Sequence, residues 1–205
     1  MQKGLLVVIS GPSGCGKGTI VRKLTERNEK ICVSISCTTR TPRTGEKEGI
    51  NYFYKTHEEF AKKLKQNEFL EYAKVFDNYY GTPVGEVERL RKAGNDVILE
   101  IDVKGALKIK KKIPDAVMIF IITPSMKELK RRLTERGTET PEQIDKRFAT
   151  AYLELGYING YDYLILNDDL NVAVEQIENV LKTEKLKPSR TDMVKKLLKE
   201  GDSLL

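Results

Sequence analysis

Lys17 is the residue whose surroundings most clearly specify a chemistry. It closes the run Gly11-Pro12-Ser13-Gly14-Cys15-Gly16-Lys17, with Gly18 and Thr19 after it. The spacing Gly-x-x-x-x-Gly-Lys lets successive backbone N–H groups turn inward on an anion, and the terminal lysine reaches the outermost phosphates. The apolar run Leu5–Ile9 before it reads as a buried strand. The helix-compatible stretch after it offers free N–H groups and the positive end of a helix dipole. A glycine-rich turn alone is weak; strand, lysine and helix together make it a phosphate cradle. Gly18 stands where Ser or Thr commonly follows the lysine, so Thr19 is the hydroxyl candidate for Mg²⁺. Cys15 reads as a small loop residue, not a nucleophile.

A second cluster lies in Ser36-Cys37-Thr38-Thr39-Arg40-Thr41-Pro42-Arg43-Thr44-Gly45-Glu46. Arg40 and Arg43 flank a proline turn, and paired guanidinium groups suit a phosphate through fork-shaped, charge-assisted bonds. Tyr52 and Tyr80 could add phenolic donors to the same anion. Three carboxylates follow: Glu71 within Phe69-Leu70-Glu71-Tyr72, and Glu100 and Asp102 at the end of an apolar strand. Alternate strand residues share a face, so Glu100 and Asp102 point together. Beside a terminal phosphate such acids organise Mg²⁺ or its waters; the plainer alternative is a strand-end charge that caps a neighbouring helix. A third, helical stretch carries Arg131, Arg132, Arg136 and Arg147.

Composition excludes several other chemistries. A single histidine, His57, leaves no room for His-based triads or His-rich metal sites, and it follows Thr56 in a Thr-x-x-Glu capping box that starts a helix. Three cysteines at no metal-like spacing are expected as reduced thiols in a cytoplasmic protein. The net charge of +6 is partly a tail effect: from Lys182 onward there are 7 basic and 4 acidic residues, a surplus of 3. No coherent basic face with stacking aromatics suggests nucleic acid. No run reaches the roughly 20 apolar residues of a membrane span, and no signal peptide is expected.

The elements that must position these residues alternate. Leu5–Ile9, Asp96–Ile101, Val117–Ile122 and Tyr163–Leu166 are rich in Val, Ile and Leu without strict alternation, as in parallel strands buried on both faces. Helices are expected at Lys17–Asn28, Val84–Ala93, Val103–Lys112, Met126–Arg136, Pro141–Gly156 and Leu170–Lys185. Ser125 and Glu128 form a second capping box, and Pro141 suits a first helical turn. The βαβα order predicts a doubly wound α/β sheet with ligands beyond its carboxyl strand ends. Two stretches interrupt it. Residues 34–83 are polar and turn-rich, with strands expected at Tyr52–Tyr54 and Phe69–Phe76 in a small antiparallel lobe. Residues 125–155 are helical and charged, as in a mobile lid. The core is then 1–33, 84–124 and 156–186, with a polar tail at 187–205.

GPSGCGKGT, SCTTRTPRTGE, FLEYAKVFDNYYGTP, ILEIDVKG and the RGTET of residues 136–140 together resemble guanylate kinases, in order from about Leu5 to Lys185. The resemblance implies a P-loop NTPase-type parallel sheet flanked by helices, a small α+β GMP-binding lobe and a helical lid. It implies ATP and GMP as partners with Mg²⁺, GDP and ADP as products, and dGMP as a second acceptor. By similarity, Ser36 and Glu71 read the guanine, with Thr82 and Asp102 nearby. Arg40, Arg43, Tyr52 and Tyr80 hold the GMP phosphate. Gly11, Pro12, Ser13, Gly14, Cys15, Gly16, Lys17, Gly18 and Thr19 hold the ATP phosphates, and Asn167 lies near the adenine. Lys17, Arg40, Arg136 and Arg147 carry the transfer, with Arg132 a further lid candidate. Thr19, or Asp102 through water, would meet the metal.

The chemistry of this assignment is self-consistent. Guanine presents N–H donors at N1 and N2 and an acceptor at O6; Glu71 accepts the first two and Ser36 donates to the third. Adenine would leave buried groups unpaired, a mismatch that discriminates by about 10⁴-fold. The acceptor is already an anion, so transfer needs positioning and charge neutralisation rather than a strong base. A non-enzymatic module on the same fold, or a kinase for another nucleoside monophosphate, are the competing readings; the intact phosphate loop and both arginine sets favour the enzyme. Monomer and homodimer are both compatible with the sequence.

Overall fold

In the computed structural model, which describes residues 3–75, 77–135, 140–191 and 197–198, the strand before the phosphate loop is the centre of a five-stranded sheet. This strand, β1 (Leu6–Ser10), is followed by α1 (Lys17–Arg27) and β2 (Ile31–Val33). Then come β3 (Cys37–Thr38), β4 (Phe53–Tyr54), α2 (His57–Lys65), β5 (Phe69–Val75) and β6 (Asn78–Pro83). The chain returns to the main sheet through α3 (Val84–Lys92), β7 (Asp96–Glu100), α4 (Val103–Lys112) and β8 (Val117–Ile122). It ends in α5 (Met126–Glu135), α6 (Pro141–Leu155), β9 (Tyr163–Leu166) and α7 (Leu170–Glu184).

The sheet order is β2-β7-β1-β8-β9, with every pair parallel. All five residues of β1 are buried, and alternation sends them to opposite faces. Val7 and Ile9 join Ile20, Leu24, Ala173 and Ile177 on the α1/α7 side. Leu6 and Val8 join Val87, Ala106 and Ile109 on the α3/α4 side. Two covered faces are why the strand reads as an unbroken apolar run. Leu129 and Leu133 of α5, and Ile144 and Ala151 of α6, belong to the first of these clusters.

Residues 34–83 build a second sheet of order β4-β3-β6-β5. The expected antiparallel lobe is corrected here: β3–β6 and β5–β6 are antiparallel, but β3–β4 is parallel. A tight hairpin cannot join a parallel pair. The long connection from Thr39 to Tyr52 does so instead, and it is the segment that carries Arg40, Arg43 and Glu46. Cys37, Phe60 and Phe69 form a small core of their own. Gly81 fits beneath it, because a Cβ there would lie 3.0 Å from both Phe60 and Phe69.

Helix signals read from the sequence hold with end shifts of a residue. The Thr56–Glu59 capping box is present, Pro141 lies in the first turn of α6, and a further capping box joins Thr140 and Gln143. The box expected at Ser125 is only half made. Ser125 Oγ accepts from the Glu128 N–H at 3.1 Å, but the Glu128 carboxylate is engaged by Arg131 and Arg132 instead. Short β2, β3 and β6 had no sequence signal: β2 has three residues, β3 two, and β6 is Asn-Tyr-Tyr-Gly-Thr-Pro. No helix among the described residues is long and apolar enough to cross a membrane.

Candidate active site

The phosphate loop leaves β1 at the carboxyl edge of the sheet. Gly14 and Gly16 take φ values of 90° and 94°, which side chains rarely adopt. At Gly16 a Cβ would also lie 2.3 Å from Asn167 Nδ2. Gly16 is the N-cap of α1 and makes no side-chain cap, and the first turn holds no acid, so the helix end suits an anion. Lys17 folds over the loop: its ammonium donates to the carbonyls of Gly11 at 2.5 Å and Pro12 at 3.0 Å. Cys15 is fully buried, and burial raises its thiol pKa above the ordinary value, as expected of a packing residue.

One cavity is lined by this loop, and a second is lined by Glu100, which faces Gly18. The first, about 320 Å³, is lined by Gly14, Gly16, Thr19, Arg132, Asn167 and Asp168. Asn167 is 5% exposed, and its amide donates to the Cys15 carbonyl at 2.7 Å. Arg132 in turn donates to the Asn167 carbonyl at 3.0 Å. A residue after β9 and a residue of α5 therefore fix the phosphate loop from outside.

The second cavity, about 310 Å³, is lined by Ser36, Tyr52, Glu71, Tyr80, Glu100 and Asp102, among others. Glu71 is 7% exposed and accepts the Thr82 hydroxyl at 2.7 Å. Burial raises its pKa above the ordinary carboxylate value; the Thr82 bond opposes this and the Asp102 charge adds to it. A Cβ at Gly105 would lie 3.0 Å from Glu71 Oε2, so the start of α4 is shaped around the carboxylate. Thr82 is 1% exposed and sits behind Glu71 rather than on the cavity wall. Asp102 accepts the Gly105 N–H at 2.7 Å as N-cap of α4. Both readings of that acid therefore have a structural counterpart: it caps a helix and it lines the cavity.

Arg40 packs on Tyr52, which lines this cavity. It donates to Glu46 Oε1 at 2.9 Å and to the Thr41 carbonyl at 2.7 Å, and its guanidinium lies 5.5 Å from the Tyr52 ring centre. The other Glu46 oxygen accepts the Arg43 N–H and the Tyr54 hydroxyl, both at 2.8 Å. With the Arg40 bond the largest cause, these hold the Glu46 carboxyl at a pKa of about 2. The Arg43 side chain is exposed. Sequence reasoning passed over Glu46 as a site residue. Its position closing the turn after Gly45 was the available signal, since the Glu46 N–H donates to the Arg43 carbonyl at 3.0 Å.

From α6, Arg147 Nη1 donates to Ser13 Oγ at 2.7 Å. Arg136 lies outside the described residues. Glu154, in the last turn of α6, is half-buried with its pKa raised by burial, an effect that the Lys17 charge opposes. Gly18 faces Glu100, since a Cβ on it would lie 3.5 Å from Glu100 Oε1, whereas Thr19 opens to the other cavity.

A phosphate loop at the carboxyl edge of a parallel sheet, lining one cavity and meeting, at Gly18, the Glu100 carboxylate that lines a second, defines a P-loop phosphotransferase. A family model described as guanylate kinase matches residues 3–184. A guanylate kinase of Caldanaerobacter subterraneus subsp. tengcongensis is 51% identical over 201 residues, covering 98% of each chain. One from Clostridium perfringens (strain 13) is 50% identical over 200 residues, covering 98% of this chain and 91% of its own. The crystal structure of a guanylate kinase from Anaplasma phagocytophilum superposes with a TM-score of 0.79 at 34% identity, covering 98% of this chain and 96% of the other. The chain belongs to the guanylate kinase family.

Proposed function

We propose that this chain transfers the γ-phosphoryl group of ATP directly to the phosphate of GMP, giving ADP and GDP. The observation that carries the acceptor's identity is Glu71: a buried carboxylate, fixed by Thr82, in a cavity shared with Ser36. It matches the two N–H donors of guanine, and the Ser36 hydroxyl suits O6. Arg40, oriented by Glu46, and Arg43, Tyr52 and Tyr80 hold the GMP phosphate. The loop Gly11–Thr19, with Lys17, holds the ATP phosphates. Asn167 and Arg132 border the adenine side. Arg147 and Arg136 close over the transferring group from a lid of residues 125–155, which limits water and wasteful hydrolysis.

Positioning supplies most of the catalysis. Arg40 and Arg43 hold the acceptor in line and offset its repulsion with ATP, and Lys17 and Arg147 spread positive charge over the transferring oxygens. Among the described residues no cluster of three or more His, Cys, Asp or Glu could hold a metal ion by itself. Glu100, whose carboxylate lies by Gly18, and Asp102, which lines the same cavity as Glu100, instead offer hard oxygen donors, which fits Mg²⁺ carried mainly by the ATP phosphates and reached by these acids through water. Bound there, the ion neutralises charge on phosphate oxygens. Thr19, which lines the donor cavity, offers a hydroxyl from the other side.

A coupled assay with ATP, Mg²⁺ and each of GMP, dGMP, AMP, UMP and CMP tests this reading. Diphosphate is expected from GMP and dGMP. Absence of GDP, or equal turnover of AMP, would overturn it.

A further inference from the structure

The donor cavity contains one cation whose direction is set by a residue outside the cavity. Arg132 lines the cavity and points one edge at the phosphate loop: its Nη1 would be 3.9 Å from a Cβ on Gly16. Its other two nitrogens are tied down. Nη2 donates to the Asn167 carbonyl at 3.0 Å, and Nε donates to Glu128 Oε1 at 2.7 Å. Glu128 lies one helical turn earlier on α5, so it meets Arg132 across an i,i+4 step. Its backbone N–H is bound to Ser125 Oγ, which anchors the residue in the first turn. Arg131 grips the same carboxylate from the other side at 2.7 and 2.8 Å. A planar guanidinium fixed at two nitrogens cannot rotate, so the third is presented to whatever fills the cavity.

We infer that Glu128 is a positioning residue for the donor nucleotide: through Arg132 it presents a fixed cation to ATP and braces the Asn167–Cys15 contact under the phosphate loop. The inference rests on the reading of this cavity as the ATP side. Glu128 itself touches neither substrate, so its loss acts by letting Arg132 rotate.

The test is steady-state kinetics of the full chain, varying ATP and GMP separately, for Glu128→Ala, Glu128→Gln, Arg132→Ala, Glu128→Ala/Arg132→Ala and Arg131→Ala, each with a thermal melt. Glu128→Ala should raise the KM for ATP about tenfold, the scale of one charge-assisted hydrogen bond, with the KM for GMP within about twofold. Glu128→Gln, which keeps an acceptor for Nε, should fall between it and wild type. The double variant should match Arg132→Ala, because Glu128 acts only through that arginine. Arg131→Ala, which leaves the Glu128–Arg132 bond, should keep the KM for ATP within about twofold of wild type. A lowered melting temperature with both KM values unchanged, or both raised alike, overturns the positioning role. An unchanged KM for ATP in Arg132→Ala overturns the donor-cavity reading itself. An effect in Arg132→Ala with none in Glu128→Ala overturns only the role of Glu128.

Discussion

Arg147 of α6 and Ser13 of the phosphate loop, 134 positions apart, are joined by a 2.7 Å hydrogen bond from Nη1 to Oγ. A cation of α6 is thus docked on the Gly-rich loop, for which we propose the ATP phosphates as ligand. On the proposed function, the same guanidinium would serve the transferring group by exchanging the hydroxyl for phosphate oxygens.

Arg147→Ala should therefore cut kcat by about 10²–10³-fold, the cost of deleting one preorganised donor to the transition state. The KM for GMP should stay within about threefold, since the GMP site we propose is built by residues 34–83 and not by α6. Full activity in this variant would remove Arg147 from the reaction.

Glu71→Gln tests base recognition and carries a stability signature. Gln presents one amide oxygen and an N–H pair where guanine needs acceptors, so kcat/KM for GMP should fall about 10²-fold or more while the KM for ATP holds. Equal loss for both substrates would contradict the assignment.

The raised Glu71 pKa fixes a pH dependence. Between the ordinary and the raised value the folded state binds more protons than the unfolded one, so this residue's contribution to stability falls as pH rises through that window. Glu71→Gln should accordingly melt higher than wild type at pH 7, with the gap closing as pH falls toward the ordinary carboxylate range. In the wild type, kcat/KM for GMP should decline on the acid side with a midpoint above the ordinary glutamate value. Melts and pH–rate profiles of both proteins check these signs.

Glu46 should behave oppositely. With a pKa of about 2, its hold on Arg40 is fully present above the ordinary carboxylate range and is lost only as pH falls through about 2. It therefore adds nothing to the acid limb near neutrality. Glu46→Ala should raise the KM for GMP about tenfold through a misdirected Arg40, with ATP binding unchanged. Steady-state kinetics with each nucleotide varied in turn measures this directly.

Gly16→Ala combines a left-handed φ of 94° with a Cβ 2.3 Å from Asn167 Nδ2. The backbone term alone costs about 1–2 kcal/mol, and displacement of Asn167 should raise the KM for ATP as well. A melt and an ATP titration of the variant check both effects.

The central strands β1, β7 and β8 were legible because they are buried on two sides, whereas the edge strands β2 and β9 are only partly covered and β2, three residues long, was not legible. Burial on both faces leaves unbroken runs such as Leu6–Ile9 and Val117–Ile122, and the phosphate loop has a spacing that backbone geometry dictates. The short β3 and β6 were not legible. β3 has only two residues, and Asn78–Pro83 resembles a turn when read alone. The parallel pairing of β3 with β4 was likewise hidden, because pairing depends on where a long loop returns.

By itself, the sequence determined the chemistry on offer: a loop that can wrap phosphate, paired arginines, and carboxylates at a strand end. These follow from local spacing, which covalent geometry converts directly into structure. Only the tertiary structure decided how those groups are used. Thr82 is turned behind Glu71, Glu46 and Glu128 each aim an arginine, and Thr19 is separated from Glu100. Such relations join residues brought together by packing rather than by neighbouring position, as Asn167 and Cys15 are across 152 positions. Non-local contacts of this kind arise when buried faces close on one another, and no periodicity along the chain records them.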